Sequence, residues 1–313
     1  MSGPVLAPAH VPAKGAEWLS RKERGGVVAI RLTVFLVTVF GRTLTRLVAR
    51  LVALYYVLTS PSARAGLRAF YLRLEGRAPS FGRLYRHFLR FVFSTLDAFF
   101  LASGKTRGFE VTRNGHQHLE ALRVAKKGAI LLGAHVGSFY AMRIQGHEEG
   151  LRLFALMHTK NARMLNDALE KLDPEGAARV VELDPEGGMD SMLKVKELLE
   201  SGALVAILGD RIPPGATEDR IVRVPFLGAE AAFPAGPLLL AATLKCPVYL
   251  TFGLGRGANT YDLFCEPFAE RIELPRGRRK EALAEWVKKY AERLEAFVRR
   301  SPENWFNFYD FWR

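Results

Sequence analysis

A chain of 313 residues, 49% hydrophobic and 25% charged, is globular and long enough for one large core or two modest ones. Its two cysteines, Cys246 and Cys265, stand in different segments without metal-ligand spacing, which argues against a disulfide framework or zinc site and suits a reducing compartment. The net charge of +13 is lopsided: residues 1–100 hold 15 Lys/Arg against four Asp/Glu, a basic face suited to anionic headgroups or an acidic protein partner. Apolar residues interleaved with those arginines argue against nucleic acid.

Residues 1–17, rich in Pro, Ala and Gly, are expected to be disordered. No secretory signal is expected, because the first apolar stretch comes late and has no small-residue cleavage pattern. Helical patterns then cover 27–58, 62–74 and 81–101, so that 18–103 reads as a helical, membrane-associating region. In the first of these, Arg31, Arg42, Arg46 and Arg50 fall within about 100° of one another at helical spacing, near Thr38 and Thr45. The pattern suggests an interfacial anchor with a basic stripe, since its longest apolar run is half of what a spanning helix needs.

From residue 104 onward, short apolar runs alternate with helical segments. Strands are predicted at 129–134, 152–157, 179–183, 203–209, 247–253 and 261–266. Helices are predicted at 116–125, 138–145, 162–171, 189–200, 236–244 and 279–300. This rhythm predicts an α/β fold over 104–313, a mostly parallel mixed sheet flanked by helices, with the preceding helices packed on it as one unit.

His135 closes the first apolar run and is followed by Val136-Gly137-Ser138. Ligands of open α/β sheets bind outside the carboxyl ends of the strands, where an imidazole is placed to accept a proton near neutral pH. The amides near Gly137 and Ser138, at the start of the next helix, are candidates for holding an oxyanion. The competing reading is a histidine that merely hydrogen-bonds a loop. The run 203–209 ends in Asp210-Arg211, and if both strands share one parallel sheet these residues open on the same edge as His135. Arg211, Arg220 and Arg223, beside the turn Val224-Pro225-Phe226-Leu227-Gly228, then become candidates for binding a phosphate-bearing group. The competing reading is a solvated basic loop. The aromatics of 81–100 and 305–312 read first as core and second as the lining of an acyl channel.

Taken together, these blocks make the chain resemble the late acyltransferases of lipid A biosynthesis, in the wider lysophospholipid acyltransferase-like superfamily. Within it, the chain is similar to the predicted acyltransferases that end in an Asn-Trp-Phe-Asn-Phe-Tyr-Asp-Phe-Trp tail. The resemblance rests on 18–24, the apolar N-terminal helix, Gly133-Ala134-His135-Val136-Gly137-Ser138, 223–228 leading to 233–237, 253–261 with Glu266-Pro267, and 304–312. It implies transfer of a fatty acyl group from a thioester, on acyl carrier protein or coenzyme A, to a hydroxyl or amine of a membrane lipid acceptor. His135 is then the general base, and Asp210, Arg211, Arg223, Phe226 and Gly228 are expected on the substrate side. No metal or other cofactor is implied, and the expected location is the cytoplasmic face of a bacterial inner membrane.

One position departs from the family pattern, in which an Asp or Glu five residues after the histidine completes a dyad. Tyr140 stands there, and an ordinary phenol carries no charge at neutral pH. Three arrangements follow. Tyr140 orients His135; a carboxylate from elsewhere, Asp210 or Asp97, replaces the missing acid; or the chain is a catalytically silent relative that only binds lipid.

Overall fold

The computed structural model describes residues 41–157, 163–182, 189–213, 216–257 and 259–312, preceded by residues 33, 35, 37 and 39. The expected disorder over 1–17 and the position of Arg31 lie outside the described residues. Among the described residues the first named elements are the helices α1 (Gly41–Thr59), α2 (Pro61–Glu75) and α3 (Phe81–Ala102). Pro61 opens α2, where a missing N–H costs nothing, and left-handed Gly76 closes it. The hydroxyl of Ser80 caps α3 by accepting from the Arg83 amide.

The α/β part follows as β1 (Glu110–Asn114), α4 (His116–Val124), β2 (Ala129–Gly133), α5 (Phe139–Glu148), β3 (Leu153–Met157), α6 (Arg163–Leu172), the single turn α7 (Pro174–Ala177), β4 (Val180–Glu182), α8 (Met189–Glu200) and β5 (Leu204–Leu208). The chain continues through β6 (Ile221–Phe226), β7 (Ala229–Pro234), α9 (Gly236–Leu244), β8 (Val248–Gly255), β9 (Thr260–Ala269) and α10 (Arg279–Arg300). Seven strands form one sheet in the order β1-β9-β8-β2-β5-β3-β4. The strands from β8 to β4 are parallel, while β9 runs antiparallel to β8, and β1 pairs in parallel with β9. A mostly parallel mixed sheet is thus what the alternation of apolar runs foretold.

Central strand β2 is buried on both faces, which is why it reads as an unbroken apolar run. Ile130 and Leu132 point into the main core with Val205, Ile207, Leu250 and Phe252; Ala129 and Leu131 point the other way, to Leu122 and Leu153. The main core continues without a break into the N-terminal helices through Ala53, Leu67, Phe70, Leu84 and Phe88.

Two pieces of strand structure depart from expectation. β1 is an exposed edge strand of sequence Glu-Val-Thr-Arg-Asn, with no apolar signal to betray it. Residues 221–234, where no strand is predicted and 224–228 read as a turn, form a hairpin outside the main sheet. Its two-residue turn has positive φ at both Leu227 and Gly228, the mirror-image geometry that suits the twist of a hairpin.

Two arginines of the basic stripe, Arg42 and Arg46, face the protein. Arg46 is buried against Asp97 at 2.9 Å, and Arg42 lies over the Phe109 ring at 4.1 Å. These two dock α1 onto the protein, while Arg50 is exposed and the leucines face outward. No helix among the described residues is long and apolar enough to cross a membrane.

Candidate active site

Two adjacent parallel strands build the site. In the register of β2 and β5, Gly133 lies opposite Leu208, so the residues that follow each strand emerge side by side. The Gly209 amide donates to the Gly133 carbonyl at 2.9 Å, and the Tyr290 hydroxyl of α10 donates to the same oxygen at 2.8 Å. That ties down the last residue before the turn and brings Asp210 under His135.

The Asp210 carboxylate is fully enclosed. It accepts from His135 Nδ1 at 2.7 Å, and both its oxygens lie 3.1 Å from the His135 amide. An ionised carboxylate can only accept, so the proton of the neutral imidazole sits on Nδ1 and Nε2 is the basic atom. The His135 side chain remains 29% exposed, enough for the ring to be reached from outside. Burial and the nearby Arg211 charge push the imidazole below its ordinary pKa, against the opposing pull of Asp210. Burial alone would raise Asp210; its contacts with His135 and the Arg211 charge outweigh that and hold it below the usual carboxylate range. At neutral pH the pair is therefore a carboxylate beside an uncharged imidazole.

The turn after His135 is held from two sides. Gly137 has φ +75°, and a Cβ there would sit 1.9 Å from the Gly253 carbonyl oxygen, so only glycine fits. The Ser138 amide donates to that carbonyl at 2.7 Å, and the Ser138 hydroxyl caps α5 by accepting from Ala141. On the other side lies the C-terminal segment. Gly137 donates to the Asn304 carbonyl at 2.8 Å, Phe306 donates to the His135 carbonyl at 2.8 Å, and Arg211 donates to the Phe306 carbonyl at 2.8 Å. The Asn304 amide closes the clamp by pairing with both N–H and C=O of Gly255. The amides of Gly137 and Ser138 are thus already engaged, contrary to the expectation that they face an oxyanion. Nothing in the sequence marks Asn304 and Tyr290 as site residues; the aromatics that follow Asn304 read as core, channel lining and a family signature.

Tyr140 is not brought to His135. Its ring packs with Phe99, Phe100 and Leu169 beneath the Arg143 guanidinium at 4.5 Å, and Arg143 pairs onward with Asp173. Helical geometry explains this: residue 140 lies in the first turn of α5, pointing to the helical layer. Asp97 is also elsewhere, accepting from Arg46 and, at 2.7 Å, from the Tyr261 hydroxyl. Of the three arginines, only Arg211 joins His135; Arg223 pairs with Glu218 at 2.9 Å on the surface, and Arg220 is exposed. Phe226 is wholly buried among Phe233, Trp305 and Phe311, and Gly228 serves the hairpin turn. The aromatics of α3 and the tail pack chiefly on one another as core. A small apolar cavity of about 60 Å³ lies beneath α5, lined by Leu131, Phe139, Met142 and Leu153, and does not include His135. Among the described residues no three His, Cys, Asp or Glu side chains converge where a metal could sit.

Comparison with curated proteins finds no match. A protein-family model does match, over residues 83–313: that of the bacterial lipid A biosynthesis acyltransferases. The span takes in the clamp, the histidine turn and the whole sheet, and on that ground the chain belongs to the bacterial lipid A biosynthesis acyltransferase family and is a lipid acyltransferase.

Proposed function

We propose that the protein moves a fatty acyl group from a thioester, carried by acyl carrier protein or coenzyme A, to a hydroxyl or amine of a membrane lipid acceptor, at the cytoplasmic face of a bacterial inner membrane. The observation that carries this reading is the 2.7 Å bond from His135 Nδ1 to Asp210, which leaves Nε2 as a proton acceptor on a partly open ring. Nε2 takes the acceptor's proton as its oxygen or nitrogen attacks the thioester carbonyl carbon. The tetrahedral adduct then expels the thiolate, which collects the proton from the imidazolium. Asp210 holds the tautomer and stabilises the transient positive ring. Arg211 supplies positive charge beside the imidazole, for the oxyanion or for an anionic group of the acceptor. The chemistry needs no metal or other cofactor.

The silent lipid-binding alternative drew its force from the missing acid at position 140. A carboxylate reaching the same imidazole from β5 removes that reason. The test is His135→Ala in cells whose extracted lipids are followed by mass spectrometry, beside assays of purified protein with acyl thioester and candidate acceptors. Loss of the acylated product with the fold intact is expected, and undiminished transfer would overturn the reading.

A further inference from the structure

A helix on a water-exposed surface buries its leucines and shows its charges. α1 instead turns its leucines outward and buries Thr45, Arg46, Ala49, Ala53 and Val57. Arg46 is buried in an ion pair with Asp97, Arg42 lies over Phe109, and Thr45 is buried beside them. Tyr261 fixes the same carboxylate from the sheet side, so the helix is pinned against rotation about its own axis. Outward, at helical spacing, stand Leu47, Leu51, Tyr55 and Leu58, each between 56% and 65% exposed, with exposed Leu44 and Leu54 filling the stripe. Exposed Phe35 and Val39 extend it toward the N-terminus. So large an exposed apolar face marks a surface that meets an apolar surrounding.

The charge around it says which. Residues 41–107 carry twelve Lys/Arg against two Asp/Glu, and Arg50, Arg68, Arg73, Arg77 and Arg86 are exposed. A second copy of the chain docked through this face would bring two strongly cationic caps together. An anionic lipid surface satisfies both features at once, taking the leucines among its acyl chains and the arginines among its headgroups. We propose that α1 lies in the plane of a phospholipid leaflet, leucine side down and arginine side against the protein. This deepens the membrane placement proposed above, and its test needs no turnover.

Full-length protein is floated with vesicles of phosphatidylethanolamine and phosphatidylglycerol, and with pure phosphatidylcholine vesicles. Binding to the anionic vesicles is expected, and Leu47→Glu with Leu51→Glu should weaken it by about a hundredfold or more. Val124→Glu and Leu193→Glu, at exposed apolar residues of α4 and α8, should leave it unchanged. Cys246 and Cys265 are buried, so a bimane placed by Leu51→Cys reports one site; brominated lipid should quench it, and should not quench the same label on Arg77→Cys. Cooperative melting of each variant establishes that it is folded, which substitutions at exposed positions permit. Failure to bind anionic vesicles overturns the proposal, as does binding indifferent to the two glutamates. A dimer of the parent chain that those glutamates dissociate also overturns it, in favour of a second copy. His135→Ala protein should float like the parent, separating failure here from failure of the acyl-transfer reading.

Discussion

In the proposed mechanism, with Nδ1 committed to Asp210, His135 has a single nitrogen with which to take a proton, and its reactivity depends on a residue 75 positions away. Asp210→Asn should lower kcat by about 10³–10⁴-fold with little change in KM, because an amide can hold the ring in the wrong tautomer. Tyr140→Phe should stay within a few-fold of the parent, since the phenol has no part in the pair. The pH profile separates these roles further. The imidazole must be uncharged to act, so kcat/KM should fall on the acid side with a midpoint below the ordinary histidine value. Asp210 pulls that midpoint upward, so in Asp210→Asn the acid limb should move to still lower pH. An unshifted limb would mean that another group controls it. His135 was legible in the sequence because an apolar run that ends in a histidine between glycines has few readings. Its partner was legible only through the premise of neighbouring parallel strands. Counting along the chain to position 140 could not reveal it, because the contact crosses the sheet.

At the scale of elements, the C-terminal segment and α3 meet at a buried histidine. His87 Nε2 donates to the Trp305 carbonyl at 3.0 Å, which leaves Nδ1 to accept from the Tyr71 hydroxyl at 3.0 Å. Burial pushes this ring down to about 3. The unfolded chain therefore binds the extra proton first, and stability should decline as pH falls from about 6.5 toward 3. Between pH 7 and pH 5 the loss from this group is about 2 kcal/mol. Denaturant melts of His87→Gln, whose amide can make both bonds without a titratable proton, should lack that component. Asn304→Ala, which frees both backbone groups of Gly255, should cost roughly 2–3 kcal/mol and also lower kcat. Both would be read from urea midpoints beside turnover. Element boundaries came through well where termini carry their own signals: the predicted helices 189–200, 236–244 and 279–300 match α8, α9 and α10. The hairpin did not come through, because Pro225, Pro234 and the small residues of β7 look like loop, and its turn places a non-glycine residue, Leu227, at positive φ.

Across the whole molecule, one core joins the helical cap to the sheet, and the Arg46–Asp97 pair is a charged rivet beside a smaller apolar cluster that holds Ala49, Leu96 and Ala98. Removing one partner strands the other without water. Asp97→Ala should therefore destabilise the protein by about 3–5 kcal/mol, whereas the paired change Arg46→Met with Asp97→Leu should cost much less. Thermal melts of the three proteins would show whether the cost is stranded charge or lost packing. The fold class and the succession of helices were readable from the alternation of apolar runs. The orientation of α1 was not, because a helical wheel shows which residues share a side and leaves open whether that side faces protein or surroundings.

The hold of residues 304–306 on the histidine turn sets an order of events during synthesis. That segment lies downstream of all nine strands among the described residues, so a ribosome delivers every described strand of the sheet before His135 gains its last anchors. If His135 is the base, as proposed, acyl transfer awaits the delivery of residues 304–306.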